Sequence, residues 1–350
     1  MYCVRPKYIN EFRCDGKACE SRCCKGWRIS VDNRTYEKYN SIVDERLRQD
    51  ILSHLERKDE NNYSFKMKDN QECPFLDDDF LCKIQKRHGE EYLAAICASY
   101  PRVNYKLGEV LEQSLTLTCP IAAPLILLPT EPMEFEEVDI DEPRGIFDWS
   151  NKIKQSTEES INLQATAIAI LQNRQFPINE RLIYLCLHLQ DEKFVGKFDL
   201  KFDIEKYVAI MIDIFDEMYD AKMNAEKKAN LKQIYISYHR IILDRLISNY
   251  SYIFENYLVN EFFMRCYPFA FDGGLWNNCK IFITSYKVVE FAIILTAISK
   301  NGFVTADEFL NMIDAINEKL DHNRGGMQAI KKFSESVQDL QNFSMLMFDK

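Results

Sequence analysis

Cysteine is unevenly distributed along this chain of 350 residues, and its distribution limits the possible folds more than any other feature. Of the 12 cysteines, nine lie within the first 120 residues: Cys3, Cys14, Cys19, Cys23, Cys24, Cys73, Cys82, Cys97 and Cys119. The rest of the chain contains Cys186, Cys266 and Cys279. A region so dense in thiols is normally stabilised by disulfide bonds or by bound metal, because either can replace part of a hydrophobic core.

The N-terminal residues favour bound metal over disulfide bonds. Met1 to Tyr8 contain no apolar segment of the kind found in secretion signals, so we expect a cytoplasmic protein. Cysteines clustered in a reducing compartment are more often metal or cluster ligands than disulfide partners. No run reaches about 18 uninterrupted apolar residues, so no membrane-spanning helix and no membrane partner is expected.

Eight cysteines are therefore candidate metal ligands, namely Cys14, Cys19, Cys23, Cys24, Cys73, Cys82, Cys97 and Cys119. Their spacing lacks the C-x2-C pairs that are usual in zinc fingers and ribbons. Thiolates bind both Zn(II) and iron–sulfur clusters, so the spacing leaves both open. Eight thiols are enough for two four-thiolate sites, or for one cluster with four further thiols. Cys3 is undecided, and the three later cysteines lie on apolar stretches that predict a core position.

Several enzyme and binding classes are disfavoured by missing motifs. The C-x3-C-x2-C signature of radical S-adenosylmethionine enzymes begins at Cys19 and Cys23, but Gly26 occupies its third position. Neither G-x-G-x-x-G nor G-x-x-x-x-G-K-[ST] occurs, which disfavours Rossmann-type and P-loop enzymes. Basic residues are mixed with acidic ones over 83–102, so no nucleic-acid partner is expected.

The distribution of charge suggests how the chain divides. Residues 129–148 contain eight acidic side chains and one basic one, Arg144, and so carry −7 of the net charge of −10. We predict an acidic linker or loop over 129–148, because like charges keep a segment extended. It would separate a cysteine-cluster domain at 1–128 from an α-helical domain at 149–350.

The second domain is predicted to be all helical. Apolar residues recur near every 3.6 positions over Ile204–Tyr219, and Thr305 to Glu308 fits a capping box that opens a helix. Asn179 is a predicted helix cap, and Gly325-Gly326 a predicted helix stop. The first domain is predicted to be irregular, with a helical region near 34–56, a strand within 62–68 and a hairpin over 103–118. The expected fold class is therefore mainly α.

Particular residues resemble those of a known family. Cys14-x4-Cys19-x3-Cys23-Cys24-x2-Trp27 looks like a cysteine-cluster domain described as zinc- or iron-chelating. Further matches are Cys73-Pro74-Phe75-Leu76, Cys82-Lys83-Ile84, Cys97-x3-Tyr100-Pro101-Arg102, Arg5-Pro6-Lys7-Tyr8 and Cys119-Pro120. Such a domain followed by a helical half resembles the flagellin lysine N-methylase (FliB) family.

The resemblance implies a cytoplasmic enzyme that methylates lysine side chains of flagellin. It implies S-adenosylmethionine as methyl donor and an iron–sulfur cluster of the four-iron type, with zinc as the alternative metal. The catalytic residues are not assigned. Asp272, Gly273, Gly274 and Trp276 are candidate cofactor-binding residues, because two glycines in a loop allow close approach of a ligand. Competing hypotheses are a zinc-stabilised adaptor that binds a protein partner without catalysis, and an iron–sulfur carrier.

Overall fold

The chain folds into two compact units. The structure, a computed structural model, describes residues 1–26, 28–59, 62–150, 153–190, 202–322 and 324–348. Unit 1 comprises Met1–Ala122 and Phe135–Ser150, and unit 2 comprises Ala123–Glu134 and Asn151–Lys350. The chain therefore passes between the units three times, whereas the sequence predicted one connection at 129–148.

Unit 1 is built on two β-sheets, so the expectation of an irregular first domain is wrong. The described strands are β1 (Tyr2–Pro6), β2 (Ser30–Asp32), β3 (Leu55–Arg57), β4 (Asn62–Phe65), β5 (Arg102–Leu107), β6 (Val110–Leu115), β7 (Phe135–Asp139) and β8 (Ile146–Asp148). One sheet has the order β7-β1-β6-β5-β8 and the other β2-β4-β3. β1 runs parallel to β6, and β5 runs parallel to β8. The predicted strand within 62–68 and the predicted hairpin over 103–118 are confirmed as β4 and β5–β6.

Short helices connect these strands. The described helices of unit 1 are α1 (Asn33–Asn40), α2 (Glu45–Ser53), α3 (Lys83–His88) and α4 (Ala95–Ser99). The helical region predicted near 34–56 is interrupted because Asp44 caps a new helix, its carboxylate accepting the Leu47 N–H at 3.1 Å. Asp32 caps α1 in the same way, through the N–H of Thr35 at 2.8 Å.

The acidic segment is structured rather than a free connection. β7 pairs antiparallel with β1 along its whole length, and Arg5 Nε lies 2.9 Å from Glu136 Oε1. The lone basic residue, Arg144, donates hydrogen bonds to the Leu93 carbonyl and to Thr35 Oγ1. Backbone pairing and these side-chain contacts attach the segment to unit 1.

The described secondary-structure elements of unit 2 are all helices, as expected. Its helices are α5 (Ala122–Leu127, whose first residue belongs to unit 1), α6 (Thr157–Leu171), α7 (Ile178–Leu189), α8 (Ile204–Tyr219), α9 (Ala225–Met264), α10 (Gly274–Ser299), α11 (Ala306–His322), α12 (Arg324–Ser336) and α13 (Leu340–Met347). α9 is kinked at Tyr250, whose hydroxyl donates to the Val304 carbonyl at 2.8 Å. α10 is long and apolar enough to span a membrane, but 78% of its most apolar window is buried inside the structure. It is the central core helix of this unit.

Some of the predicted helix boundaries in unit 2 are confirmed, and others are wrong. α8 has the predicted bounds. Asn179 is not a cap, because α7 begins after Pro177 and Asn179 Oδ1 accepts a hydrogen bond from Lys287 Nζ. Gly325 and Gly326 do not stop a helix but lie in the first turn of α12. A Cβ at Gly326 would come within 2.8 Å of Met218 Cγ, so close packing of α12 on α8 explains that glycine.

The capping box at the start of α11 is confirmed and allows a stability prediction. Thr305 Oγ1 accepts the Glu308 N–H at 3.3 Å, and Glu308 Oε2 accepts the Thr305 N–H at 2.9 Å. Thr305→Ala should lower the free energy of unfolding by about 1 kcal/mol, whereas Thr305→Ser should retain most of it. Urea denaturation of both variants measures the difference, and equal midpoints would contradict it.

Candidate metal centre

The eight cysteines proposed as ligands from their spacing line one cavity. This cavity lies within unit 1 and has a volume of about 340 Å³. Its wall includes the eight thiol-bearing residues Cys14, Cys19, Cys23, Cys24, Cys73, Cys82, Cys97 and Cys119. These cysteines come from four separate stretches of the first 120 residues, namely 14–24, 73–82, 97 and 119. The fold brings these stretches together around the cavity.

The first stretch is a tight loop and not the continuous helix that would place Cys19 and Cys23 on one face. Glu20 and Ser21 have positive φ angles of 49° and 48°, which interrupt any helix there. Gly16 lies where the loop closes, because a Cβ at this position would come within 2.7 Å of Ser21 Oγ and 2.9 Å of the Phe80 carbonyl oxygen. Ser21 Oγ in turn donates to that carbonyl, which attaches the loop to the second cysteine stretch.

Backbone pairing places the second stretch beside the first. The Cys73 N–H donates to the Cys24 carbonyl at 2.8 Å, and Lys25 and Glu72 form an isolated β-bridge. The chain then turns back, so that Leu76 pairs with Cys82 in a second bridge. Cys82 immediately precedes α3. These contacts join the segments that carry Cys24, Cys73 and Cys82, all three of which line the cavity.

The last two stretches complete the wall. Cys97 lies in α4. Cys119 follows β6 in a turn, where its N–H donates to the Thr116 carbonyl and its own carbonyl accepts the Ala122 N–H. Both segments are short, which fits a region whose geometry depends on local turns and on the pairing of the sheets.

The eight cysteines divide into two sets by their surroundings. Cys24, Cys73, Cys82 and Cys97 belong to an apolar cluster that also contains Tyr39, Phe65 and Phe75, and we call them the inner thiols. Cys14, Cys19, Cys23 and Cys119 are not part of that cluster, and we call them the outer thiols. The vicinal pair Cys23-Cys24 is thus divided between the two sets.

Burial makes most of these thiols poor acids in the metal-free protein. It raises the pKa of Cys73 and of Cys119 to about 11, and it also raises the pKa of Cys97, where the neighbouring thiols Cys73 and Cys82 add to the effect. A hydrogen bond between the vicinal thiols raises the pKa of Cys24 and lowers that of Cys23. Metal binding must displace protons from such thiols, so metal affinity should weaken as the pH falls.

The donor set fits a thiophilic metal or an iron–sulfur cluster. Sulfur ligands select zinc, soft metals and iron–sulfur clusters over magnesium or calcium. Among the described residues, no three His, Cys, Asp or Glu side chains already form a group that could hold one metal ion. The inner and outer thiols instead surround a volume of about 340 Å³.

Aromatic side chains form much of the remaining wall. Phe12, Tyr39, Phe65, Phe75, Phe80 and Tyr100 all line the cavity. None of these aromatic residues was predicted from the sequence as part of the site. No motif indicates them, because the rings come from separate elements that meet at the cysteines only after folding.

The other four cysteines do not line the cavity. Cys3 is fully buried in β1, where burial raises its pKa to about 11. Cys186, Cys266 and Cys279 are fully buried in unit 2, as their apolar surroundings predict. The undecided Cys3 therefore joins the core residues, and the candidate ligand set stays at eight.

The predicted cofactor-binding residues lie at the start of α10. Asp272, Gly273 and Gly274 are exposed, and both glycines have positive φ, 108° and 84°. Trp276 Nε1 donates to the Gln338 carbonyl at 2.9 Å, so the indole N–H is used within unit 2. None of the four lines the cysteine cavity or a small cavity of about 10 Å³ beside Tyr257, Glu261 and Arg265. Their role in cofactor binding remains a prediction.

Unit 2 contains a buried ionic cluster that no sequence motif predicted. Glu255 is 2% exposed and accepts hydrogen bonds from Arg181 Nη1 at 2.7 Å and from Arg174 Nη2 at 2.9 Å. Lys287 is also buried and donates to Glu290 and Asn179, both at 2.8 Å. These charges are paired with each other, so the simplest role for them is to fix how the helices pack.

Comparison with known proteins relates the chain to the FliB lysine N-methylase family. Residues 189–346 match the family model of the FliB lysine N-methylase C-terminal domain. The flagellar biosynthetic protein FliU of Salmonella muenchen is 34% identical over 138 residues, which cover 38% of this chain and 82% of that protein. Lysine-N-methylases of Salmonella typhimurium and Salmonella choleraesuis are 34% identical over 141 residues, which cover 39% of this chain.

The extent of these matches differs between the relatives. The aligned part spans only 35% of the length of each of the two lysine-N-methylases. No solved structure is significantly similar to the chain. The FliU match covers most of that relative, and the family model matches most of the helical part of unit 2. The chain therefore belongs to the FliB lysine N-methylase family.

Proposed function

We propose that this protein transfers methyl groups from S-adenosylmethionine to lysine side chains of flagellin, in the cytoplasm. We propose further that its cysteine cavity holds an iron–sulfur cluster of the four-iron type. The proposed cluster is supported by the eight cysteines, from four stretches of chain, that line one cavity of unit 1. The proposed methyl transfer is supported by membership of the FliB lysine N-methylase family and by the flagellar name of the FliU relative.

The size of the cavity favours a cluster over a single zinc ion. A zinc site places four sulfurs at about 2.3 Å from one point, which needs little space beyond the ligands themselves. The cavity here encloses about 340 Å³, and eight thiols are twice the number that one zinc ion takes. A cluster instead spreads its thiolates over several irons. Either the inner or the outer thiols are numerous enough to ligate it.

The chemistry of the proposed transfer sets one requirement for the protein. The lone pair of a neutral lysine Nζ forms the new C–N bond as the S–CH3 bond breaks, and the sulfur of the sulfonium donor keeps that electron pair. The product ammonium then loses a proton. Since the pKa of a free lysine side chain is about 10.4, the protein must favour the neutral amine, which apolar surroundings do by disfavouring its charged form.

A methylation assay tests the proposed activity. Unmodified flagellin incubated anaerobically with the reduced, iron-loaded protein and S-adenosylmethionine should gain mass in steps of one CH2 group, each located on a lysine. Reactions without S-adenosylmethionine should show no gain. Flagellin that binds the protein but never gains mass would contradict the proposal and favour a zinc-stabilised adaptor. Mass spectrometry of intact and digested flagellin makes both measurements.

A further inference from the structure

Tyr39 belongs to the same apolar cluster as the inner thiols and carries a buried hydroxyl. It lies near the end of α1, is fully buried, and lines the cysteine cavity. Among the described residues, its hydroxyl has no hydrogen-bond partner. A buried hydroxyl without a partner is unfavourable, so such a group calls for an explanation.

The Tyr39 side chain is surrounded by aromatic rings and inner thiols. Tyr39 packs against Phe65, with ring centroids 6.1 Å apart, inside the apolar cluster. The thiols close enough to act electrostatically on the hydroxyl are those of Cys97, Cys82 and Cys73. These three inner thiols line the same cavity as Tyr39 and belong to the same apolar cluster.

The polar group nearest along α1 makes its hydrogen bonds with other residues. Thr35 lies one turn earlier on the same face, but its hydroxyl donates to Asp32 Oδ2 at 2.9 Å and accepts from Arg144 Nη2 at 2.9 Å. Arg144 also donates to the Leu93 carbonyl. Tyr39 takes no part in this network, and the other surroundings of its side chain include the cavity that it lines.

We propose that the Tyr39 hydroxyl donates a hydrogen bond to an inner thiolate, that of Cys73, Cys82 or Cys97, once the cavity is loaded with metal. This inference rests on the proposed metal centre. A thiolate is a better acceptor than the thiol it replaces, since its sulfur is charged. Hydrogen bonds to ligand sulfurs hold those ligands in place and raise the reduction potential of iron–sulfur clusters. Tyr39 is thus a positioning residue for the centre.

The test replaces Tyr39 by phenylalanine, which removes one oxygen atom. The full-length protein is loaded anaerobically with ferrous iron and sulfide, or separately with Zn²⁺, and then challenged with EDTA. Tyr39→Phe should lose metal about 10- to 100-fold more readily than the wild type. In the iron-loaded protein, the reduction equilibrium should shift about tenfold toward the oxidised form, a fall in potential of about 59 mV for a one-electron couple.

A second tyrosine of unit 1 provides the matched control. The Tyr8 hydroxyl accepts the Leu115 N–H at 3.4 Å, and Tyr8 does not line the cavity. Tyr8→Phe should lower the urea midpoint of the metal-free protein and leave metal retention within about twofold of the wild type. Tyr39→Phe should show the reverse, with an unchanged or raised midpoint, because it removes a buried hydroxyl that has no partner.

The outcomes separate this inference from the proposed centre. A wild-type protein that retains neither metal overturns the centre and the role of Tyr39 together. A loaded wild type with a Tyr39→Phe variant that matches it in metal retention and potential overturns the role of Tyr39 alone. A metal-free Tyr39→Phe protein that unfolds more readily than the wild type would assign Tyr39 a structural role and also overturn the inference.

Discussion

Cys97→Ala is expected to abolish stable metal binding and, with it, the proposed methyl transfer. Cys97 lines the cavity from α4, and the thiols of Cys73, Cys82 and Cys23 are its electrostatic neighbours. Where the inner thiols ligate the cluster, loss of Cys97 leaves three of four ligands, and metal binding supplies folding free energy to a small domain of this kind. Iron, sulfide and zinc analysis of anaerobically purified protein should therefore fall from a stoichiometric amount to near zero, and the visible colour should disappear.

Cys3→Ala is the matched control for that result. Cys3 lies in the same unit and is fully buried, but it belongs to β1 and does not line the cavity. It should keep the metal content and absorption of the wild type while losing some stability, since a small buried side chain is truncated. If Cys97→Ala kept its metal while Cys3→Ala lost it, the assignment of the cavity as the metal centre would be wrong.

Glu255→Ala is expected to destabilise unit 2 by about 3–5 kcal/mol. Glu255 and Arg181 are both buried, with side-chain exposures of 2% and 8%. Removing the carboxylate leaves the Arg181 guanidinium buried without its counter-charge, and a buried unpaired charge is costly. Arg174 is more exposed and can turn to water, so most of the loss should come from Arg181. Urea denaturation measures the change in free energy of unfolding.

Asp244→Ala provides the comparison on the surface of the same unit. Asp244 lies 3.6 Å from Arg240 in an exposed pair on α9. Exposed pairs of this spacing contribute about 0.3–0.5 kcal/mol, so the variant should unfold at nearly the wild-type midpoint. Similar losses for Glu255→Ala and Asp244→Ala would show that burial of the ionic cluster does not strengthen it.

Local patterns in the sequence predicted the parts of the fold that depend on local interactions. The bounds of α8 follow from the spacing of its apolar residues, and the start of α11 follows from a cap that is four residues long. The hairpin β5–β6 follows from two strands joined at a glycine. Cysteine spacing identified the eight side chains that line one cavity, because few other roles explain so many thiols in a short region.

Features that depend on distant partners were missed. β7 has the sequence Phe-Glu-Glu-Val-Asp, which looks like a charged loop until β1 supplies its hydrogen bonds and Arg5 approaches Glu136. Gly326 looks like a helix stop, but a glycine is needed there because Met218 of α8 approaches it closely. No local pattern indicates Tyr39, since its surroundings are created by residues from four other stretches of chain. The candidate cofactor residues at the start of α10 were chosen from local loop character alone.

The acidic segment affects whether copies of this protein can associate through the edges of their sheets. In the order β7-β1-β6-β5-β8, both outermost strands come from the segment that follows residue 134. Until that segment is synthesised, β1 and β5 each leave a row of unpaired backbone groups open to strands of other chains. β7 then pairs with β1, and β8 pairs with part of β5. β7 also places several carboxylates along its edge of the sheet. Like charges on two such edges repel, so the sheet resists growing into an intermolecular one.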